Sequence, residues 1–499
     1  MPATRVTITL NSRQSQKAPL LIPASALADP AASTSIRALI IKTVQSKLSL
    51  KKPTRIFVGD DVVLLVSAGE DFVGVKRKSS VHANANLDCP VELLASKAPV
   101  ESLSVTQLKT TAHTLPGIAH AVGQPDLHPG TKFPIGAVFV SQGWIHPPLI
   151  GCGMACYKTT LPRSQVDGDK GKKVAETLRG LEGPWLTSAH REAWLKAEDI
   201  SYSAGEEWDK SLGTIGAGNH FAEIQVVEES SIADDEKKYL REDDVVLLVH
   251  SGSRGYGGSI LKKYTTDSHI SFQEDSPEAV EYMKELDKAC NANPAGNEKA
   301  DATAIAEARK SLQARKVVDI WHNNVERVKW PPSPPSSVAG EAASSTLTAA
   351  MAGKYAWVQR KGAAPTYDPE SQVPLSLLPL PGSRGTPTLI LKPTFSTSTS
   401  WCLKNALSLA HGAGRAMSRA KALSALSSKY KCQNLLEPRA GDYDGTWVIC
   451  DEKDLVWEEA PDAYKDVQAV GQDLVDAGAA QIIGWCRARV SYKVRNEAR

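Results

Sequence analysis

Residues 244–255 have the sequence DVVLLVHSGSRG, in which an apolar strand pattern ends directly at His250 and a glycine- and serine-rich loop follows. A second apolar stretch, Ala222 to Val227, begins just after His220. Functional groups at strand ends, presented by loops, are the usual arrangement of α/β active sites. Strand alternation also marks Arg5 to Leu10, while charged, periodic segments elsewhere are typical of helices. These patterns predict a mixed α/β (α+β) fold.

Four histidines stand in distinctive short blocks. The blocks are GNH at 218–220, HSGSRG at 250–255, WHN at 321–323 and HGAGR at 411–415. Imidazole is the commonest metal ligand near neutral pH and is also a competent nucleophile. Loops rich in glycine, serine and arginine let the backbone approach phosphate closely. The blocks therefore indicate metal and phosphate chemistry.

Three of these blocks leave a choice between function and plain structure, and for HSGSRG at 250–255, which suits phosphate oxygens, the alternative is a surface loop. Residues 416–421 have the pattern of a helix start, whose free N–H groups can hold a phosphate beside His411. His411 is then a candidate nucleophile toward phosphorus, and the alternative is a helix-terminal histidine. The glycine-rich loop 213–220, with Glu223 after it, is either a binding loop or a β-turn with a hydrogen-bonded histidine.

Two further motifs are open in the same way. Asp126 and His128 combine a carboxylate with an imidazole that can bind a metal or relay a proton, unless Asp126 only caps its turn. Cys152, flanked by glycines, is either a thiolate ligand for a divalent metal or an inert buried thiol. Each motif alone is weak evidence of function.

Composition excludes several protein classes. The chain has 499 residues and a formal net charge of +2, which gives no global basic field for nucleic acid. Its eight cysteines contain no CxxC pair, so neither a zinc knuckle nor a disulfide framework is expected. No apolar run approaches the ~18 residues of a membrane span, and the first residues lack a signal pattern. An intracellular protein, cytoplasmic or nuclear and without a membrane partner, is the prediction.

Taken in order along the chain, the motifs resemble those of the RtcB-type 3′-phosphate/5′-hydroxyl RNA ligases. The matching motifs are PDLHPG at 125–130, PIG at 134–136, CGM at 152–154, the loop at 213–223, HSGSRG at 250–255, HN at 322–323, RKGA at 360–363, PGS at 381–383, HGAGRAMSR at 411–419, EAP at 459–461, AYKD at 463–466 and YKV at 492–494. The resemblance implies a single large catalytic domain, 106–499, after a divergent N-terminal α/β segment, 1–105. A Pro/Ser-rich insertion near 330–346 interrupts the catalytic domain.

The resemblance implies an enzyme that uses GTP and Mn²⁺ to join RNA ends in RNA repair or tRNA splicing. A 3′-phosphate or 2′,3′-cyclic phosphate end is joined to a 5′-hydroxyl end through a GMP-histidine intermediate, and by this resemblance His411 carries the GMP. The implied metal ligands are Cys152, His220, His250 and His322. The implied nucleotide-binding residues are Asn219, Glu223, Ser383, Ala413, Gly414, Tyr464 and Lys493, with Tyr464 stacking on guanine.

One metal ligand of the family pattern is missing. In the family an aspartate precedes the bridging cysteine, in a pattern like GxDIGCGM, whereas here Leu149-Ile150-Gly151 leads directly to Cys152. Aligning Cys156 instead puts Gly153 at the aspartate position and loses the CGM match, which favours Cys152. One of the two Mn²⁺ sites is therefore expected to be impaired, through codons dropped from the gene model or through a genuine loss. A metal-dependent cyclic phosphodiesterase and a non-catalytic RNA-binding relative are the alternative functions.

Overall fold

The computed structural model describes residues 4–10, 13–22, 42–43, 45, 55–58, 61–64, 88–147, 152–178, 189, 215–216, 218–231, 240–252, 254–265, 270–291, 315–330, 354–368, 373–396, 399, 402–431, 433–439, 442 and 445–493. The chain forms two compact units, Met1–Asn84 and Ala85–Arg499. The predicted division between residues 105 and 106 stays a prediction. The predicted insertion near 330–346 lies outside the described residues except for Trp330.

In the first unit, the described residues include two antiparallel strand pairs. Strand β1 (Thr4–Leu10) pairs with β2 (Arg13–Ile22), and β3 (Arg55–Val58) pairs with β4 (Asp61–Leu64). The strand predicted from Arg5 to Leu10 is confirmed by β1.

An eight-stranded sheet forms the larger layer of the second unit. Its strands are β9 (Cys152–Lys158), β10 (Phe221–Ser230), β11 (Val245–Gly252), β13 (Arg315–Trp321), β17 (Leu378–Pro381), β18 (Thr388–Pro393), β20 (Trp447–Ile449) and β21 (Ala480–Tyr492). Seven of them follow the order β13-β9-β11-β10-β21-β18-β17 with antiparallel pairing, and β20 pairs in parallel with β21.

Strand β11 explains why its sequence is continuously apolar. It lies between β9 and β10, and all of its residues are buried. An unbroken apolar run, in place of an alternating one, is consistent with a strand that is covered on both faces. In this register, His250 lies opposite Phe221 of β10 and opposite Met154 of β9.

A five-stranded sheet and two short strand pairs complete the β-structure described for this unit. The sheet has the order β14-β15-β7-β6-β5, with strands β5 (Val91–Leu93), β6 (Ile118–His128), β7 (Ile135–Ser141), β14 (Val325–Trp330) and β15 (Lys354–Lys361). The short pairs are β8 (Trp144–Ile145) with β12 (Phe272–Gln273) and β16 (Ala363–Pro365) with β19 (Ser408–Ala410).

The main core includes side chains of both sheets. Val138 and Val140 of β7 belong to one buried cluster with Met154 of β9 and Leu248 of β11. Burial of each such side chain stabilises the fold by roughly 1.5–3 kcal/mol. Residues 322–324 connect β13, an edge strand of the larger sheet, to β14, an edge strand of the smaller one. This connection holds His322 at the junction of the two sheets.

Helices add the second element type, so the predicted mixed α/β class is confirmed. The described α-helices are α1 (Ser102–Thr114), α2 (Asp169–Leu178), α3 (Arg254–Tyr264), α4 (Pro277–Asn291), α5 (Arg419–Lys429), α6 (Lys453–Glu458) and α7 (Val467–Asp476), with 3-10 turns at Arg163–Gln165 and Pro461–Ala463. Leu108 of α1 packs in a buried cluster with Phe139 of β7. Within the part of the chain that the structure describes, no helix has both the length and the apolar character needed to cross a membrane.

Candidate active site

The histidines singled out in the sequence lie at or beside the ends of strands. His250 lies near the end of β11, His322 directly follows β13, and His411 directly follows β19. His220 directly precedes β10, which pairs with β11. Residues far apart in the sequence thus meet where strands of different sheets end.

His250, His322 and His411 form one buried cluster. One ring nitrogen from each histidine lies within 4.8 Å of the others. The His322 ring stacks on the His411 ring with centroids 4.4 Å apart, and the His250 ring meets His322 edge-on at 4.8 Å. The His220 ring lies 6.0 Å from the His250 ring, and His220 is not part of this group of ring nitrogens. The tight cluster thus holds two predicted metal ligands together with the predicted nucleophile.

The donor atoms of this cluster suit a divalent cation. Nε2 of His250 and Nδ1 of His322 are buried and have no hydrogen-bond partner among the described residues. Burial, reinforced by the neighbouring His411, holds the pKa of both imidazoles well below the usual 6.5. Both rings are therefore neutral near pH 7, and a neutral imidazole offers the lone pair that a metal binds. A cation would also offset the cost of the unpaired buried nitrogens, about 1–3 kcal/mol each.

The His411 ring is oriented by a buried carboxylate. Its Nδ1 lies 2.8 Å from Oδ2 of Asp126, which is itself completely buried. A carboxylate can only accept this hydrogen bond, so the proton of a neutral His411 is on Nδ1. The lone pair of the ring is then on Nε2, the atom left for a metal or for a phosphorus atom.

The Asp126 backbone is held from two sides. The Lys465 ammonium donates to the carbonyls of Pro125 at 2.9 Å and Leu127 at 2.7 Å. Gly414, with φ +71°, lies so close that a Cβ on it would come within 2.3 Å of the Asp126 carbonyl oxygen. The same chain segment thus carries His411 and packs against its partner Asp126.

The predicted pair of Asp126 with His128 takes a different form. His128 Nδ1 donates to the backbone carbonyl of Asp126 at 2.8 Å, while the Asp126 carboxylate bonds to His411. Burial lowers the pKa of His128 to about 4. His128 is therefore a neutral residue that braces the turn, and the chemistry-bearing partner of Asp126 is His411.

Cys152 begins β9 beside the cluster. Its backbone lies opposite Gly252, and Met154, two residues later, lies opposite His250. Gly153 also pairs with Trp321, the residue before His322. The backbone of Cys152 is therefore close in register to the strand segments that carry two of the histidines.

Glu223 and Lys493 are buried beside this cluster. The Lys493 ammonium lies 3.3 Å from the carbonyls of both Gly218 and His220. Glu223 accepts a hydrogen bond of 2.7 Å from the Gln225 amide. Burial lowers the pKa of Lys493 and raises the pKa of Glu223. Two ionisable groups with opposite charge are thus kept away from water at one side of the histidines.

Tyr464 and Ser383 both bond the buried residue Glu459, Tyr464 at its carboxylate and Ser383 at its backbone carbonyl. The Tyr464 hydroxyl donates to Glu459, and the Ser383 hydroxyl donates to the Glu459 carbonyl at 2.7 Å. Arg415 bonds the same carboxylate at 3.0 Å and lies over the Tyr464 ring, 5.0 Å from its centroid. Interaction with Lys493 and Arg415 holds the pKa of Glu459 below its usual range, despite the opposing effect of burial.

The other predicted nucleotide contacts lie in two loops. Asn219 is half-buried and follows Gly218, which has φ +73°. The Ala413 N–H donates to the Pro381 carbonyl at 2.9 Å, and the Gly414 carbonyl accepts from the Lys465 N–H at 3.0 Å. These bonds fasten the loop after His411 to β17 and to the segment that follows Tyr464.

Two residues of the site were not assigned a role from the sequence. Asp126 was considered only with His128, for metal binding or proton relay, whereas its bond to His411 spans 285 residues and no local pattern indicates it. Arg360 lies in the RKGA motif and is fully buried, where it bonds Asn324 Oδ1 at 3.1 Å, Ser408 Oγ at 2.8 Å and the Leu407 carbonyl at 3.2 Å. It thereby ties the loop of His322 to the strand that precedes His411.

Comparison with known proteins gives consistent similarity along the second unit. The profile of the family described as tRNA-splicing ligase RtcB matches residues 107–183 and 185–494. The RNA-splicing ligase RtcB2 of Escherichia coli is 36% identical over 405 residues, which are 80% of this chain and 93% of that protein. The tRNA-splicing ligases RtcB of Methanococcus maripaludis and Aeropyrum pernix are 26% and 27% identical, over 73% and 74% of this chain and 86% of each relative.

Proposed function

This chain belongs to the RtcB family of tRNA-splicing ligases, and from that premise we propose that it is a GTP- and Mn²⁺-dependent RNA ligase. It joins a 3′-phosphate or 2′,3′-cyclic phosphate end to a 5′-hydroxyl end, in RNA repair or tRNA splicing. One observation carries the proposal. His411, oriented by Asp126, has its ring within 4.4 Å of the neutral His322 ring in a cluster suited to a cation.

His250 and His322 are the proposed core of the metal site, with His220 and Cys152 as further ligands. The two clustered rings have buried unpaired nitrogens, which support this role. A divalent cation here supplies charge neutralisation for the triphosphate. Imidazole suits several divalent metals, so the assignment of Mn²⁺ rests on the family.

His411 is the proposed nucleophile. Its Nε2 lone pair attacks the α-phosphorus of GTP, the N–P bond forms, and the bond from that phosphorus to the bridging oxygen breaks to release pyrophosphate. The imidazole gains positive charge as the bond forms, and the Asp126 carboxylate at Nδ1 stabilises that charge. The GMP then passes to the RNA 3′-phosphate, and attack by the 5′-hydroxyl releases GMP. A 2′,3′-cyclic phosphate is first hydrolysed to the 3′-phosphate.

The nucleotide is proposed to lie between His411 and Tyr464. Asn219, Glu223, Ser383 and Lys493 would bind it by side chain, and Ala413 and Gly414 by backbone. Support comes from Lys493, whose ammonium interacts electrostatically both with His250 and with Glu459, the partner of Tyr464. In this arrangement the bound nucleotide has its α-phosphate at the histidines and its base at Tyr464.

The missing aspartate supports a second candidate, a metal-dependent cyclic phosphodiesterase without ligation. Among the described residues, the histidine cluster includes no carboxylate as a metal ligand. A site with fewer ligands binds a second ion more weakly, whereas opening of a cyclic phosphate needs no GMP transfer. Conversion of 2′,3′-cyclic ends to 3′-phosphates without GTP, in the absence of any joined product, would favour this candidate. A non-catalytic RNA-binding relative predicts neither product.

The decisive test of the ligase is covalent labelling. Purified protein is incubated with Mn²⁺ and GTP labelled at the α-phosphate, and the labelled protein is resolved after denaturation. We expect an acid-labile adduct in the wild type and in the control His113→Ala, and none in His411→Ala. RNA with a cyclic phosphate end and a 5′-hydroxyl end should then be joined only by the proteins that form the adduct. Folded wild-type protein that forms no adduct with any divalent metal would refute the proposal.

A further inference from the structure

A buried guanidinium, that of Arg384, lies beside the proposed nucleotide site. Arg384 is only 5% exposed, and its Nη2 donates to the Val456 carbonyl. Its Nη1 has no hydrogen-bond partner among the residues that the structure describes. A buried charged donor without an acceptor costs folding free energy, and a ligand that accepts a hydrogen bond from Nη1 would offset this cost.

The position of Arg384 relates it to one end of the site. It follows Ser383, whose hydroxyl bonds the Glu459 carbonyl, and it interacts electrostatically with Glu459, Tyr464 and Glu223. Lys493 interacts electrostatically with both Arg384 and His250. Ser383 and Tyr464 both bond Glu459, so Arg384, the residue after Ser383, lies at the Tyr464 end of the proposed nucleotide site.

The chemistry at this end matches a guanine base. Guanine has two acceptors, O6 and N7, on one edge, and arginine is the side chain that most often binds that edge. Its N1–H and N2–H₂ groups are donors, and the buried Glu223 carboxylate is an acceptor. Adenine has an amino group in place of O6, so it would set a donor against Arg384.

We propose that Arg384 donates through Nη1 to O6 of the bound guanine and thereby selects 6-oxopurine nucleotides over adenine nucleotides. The inference rests on the proposed function, because His411 at the α-phosphate puts the base at the far end. Arg384 is thus a specificity-determining residue, and it acts on binding of the nucleotide before any transfer to His411. A rival ligand for Nη1 is a phosphate group, which the experiment distinguishes.

Binding of monophosphates by isothermal titration calorimetry tests the proposal without turnover. The ligands are GMP, AMP, 6-thio-GMP, in which a weakly accepting sulfur replaces O6 while N1–H remains, and 7-deaza-GMP, which lacks N7 and serves as the control. We expect wild-type protein to bind GMP more tightly than AMP and 6-thio-GMP, and to bind 7-deaza-GMP about as tightly as GMP. The difference should be about 10- to 100-fold, the range for a charge-assisted hydrogen bond.

Arg384→Met should bind GMP more weakly by the same factor and should no longer distinguish GMP from 6-thio-GMP. Arg439→Met, which changes an exposed arginine, should behave as wild type. Equal binding of GMP and 6-thio-GMP by wild type overturns the proposal, and this result is decisive even if Arg384→Met does not fold. Equal weakening of GMP and AMP in Arg384→Met also overturns it, because that result indicates a phosphate contact. Failure of the proposed function is separate: it appears as no GMP binding by wild type and no His411 adduct.

Discussion

Asp126 Oδ2 and His411 Nδ1 lie 2.8 Å apart in the buried site, although 285 residues separate them in the chain. The bond determines which nitrogen of His411 carries the proton, and with it which nitrogen can act as a nucleophile. It also provides the negative charge that a developing imidazolium needs in a site with little water. Asp126 is therefore expected to act on the rate of nucleotide transfer more than on nucleotide binding.

Substitution of Asp126 by asparagine should slow formation of the His411 adduct. The amide has nearly the same shape but can donate, so the His411 proton is free to move to Nε2. We expect the single-turnover labelling rate to fall by roughly 10²- to 10⁴-fold, as when a carboxylate that orients a catalytic histidine is neutralised. GMP binding by calorimetry should change little. Asp466→Asn, at the exposed N-cap of α7, is the control, and an unchanged rate in Asp126→Asn would contradict the assigned role.

Substitution of Gly414 by alanine should disturb Asp126 directly. Gly414 and Gly143 both have φ +71°, but a Cβ would meet the Asp126 carbonyl at 2.3 Å in the first case and nothing within 4 Å in the second. Gly143→Ala should therefore cost only the strain of a left-handed residue, about 1–2 kcal/mol. Gly414→Ala should lose more free energy of unfolding in urea titrations and should also slow adduct formation. Equal losses in the two variants would show that the close approach to Asp126 is unimportant.

Protein stability should decline as the pH falls below about 6.5. Burial lowers the pKa of His128 to about 4 and that of His146 to about 3. Between these values and 6.5 the unfolded chain binds protons that the folded chain does not. Each such histidine therefore lowers the free energy of unfolding by about 1.4 kcal/mol per unit decrease in pH across that window.

His146→Gln should reduce this slope, measured by urea unfolding between about pH 7 and pH 5. His146 Nδ1 bonds the Ser271 hydroxyl at 2.8 Å, a contact that a glutamine amide can replace in part. His113→Gln, on α1, serves as the control. Identical slopes for wild type and His146→Gln would contradict the assigned protonation state.

Removal of the Arg360 guanidinium should destabilise the fold and loosen the metal site together. Arg360 bonds the nearly buried Glu326 carboxylate at 2.7 Å as well as the loop of His322. Arg360→Met removes the cationic partner of that carboxylate, which keeps hydrogen bonds from Tyr367 and Asn324, and loss of one partner of a buried ion pair typically costs about 3–5 kcal/mol. Mn²⁺ affinity, measured by equilibrium dialysis under conditions in which the variant is folded, should fall as well. The control Arg439→Met should alter neither quantity, and unchanged Mn²⁺ binding in Arg360→Met would separate Arg360 from the site.

Several features of the molecule follow from the sequence without a structure. The apolar run before His250 predicted a buried strand, and β11 confirms it. The ordered motifs from 125 to 494 indicated the RtcB family, which the comparisons support over most of the chain. Both features can be predicted from the sequence alone. The strand is indicated by consecutive apolar residues, and the family is indicated by the order of its motifs along the chain.

The sequence could not show how the histidines are shared between metal and nucleotide. His220, His250 and His322 appeared equivalent as metal ligands, yet the tight cluster contains His411 in place of His220. The reason is tertiary: β11 and β13 belong to the eight-stranded sheet and β19 to a separate short pair with β16, and the fold brings His250, His322 and His411 together. Cys152 keeps its predicted role only as a proposal, because its backbone register alone is described.

By itself, the sequence determined the class of fold, the family and the residues able to carry metal and phosphate chemistry. Only the tertiary structure decided which of them touch: Asp126 contacts His411, and His322 contacts His411. It also decided that Arg384 Nη1 has no hydrogen-bond partner among the described residues. The physical reason is that burial and hydrogen bonding depend on what packs around a side chain. Those neighbours come from segments that lie far apart in the sequence, 285 residues for Asp126 and His411. The spacing of residues along the chain therefore does not predict these contacts.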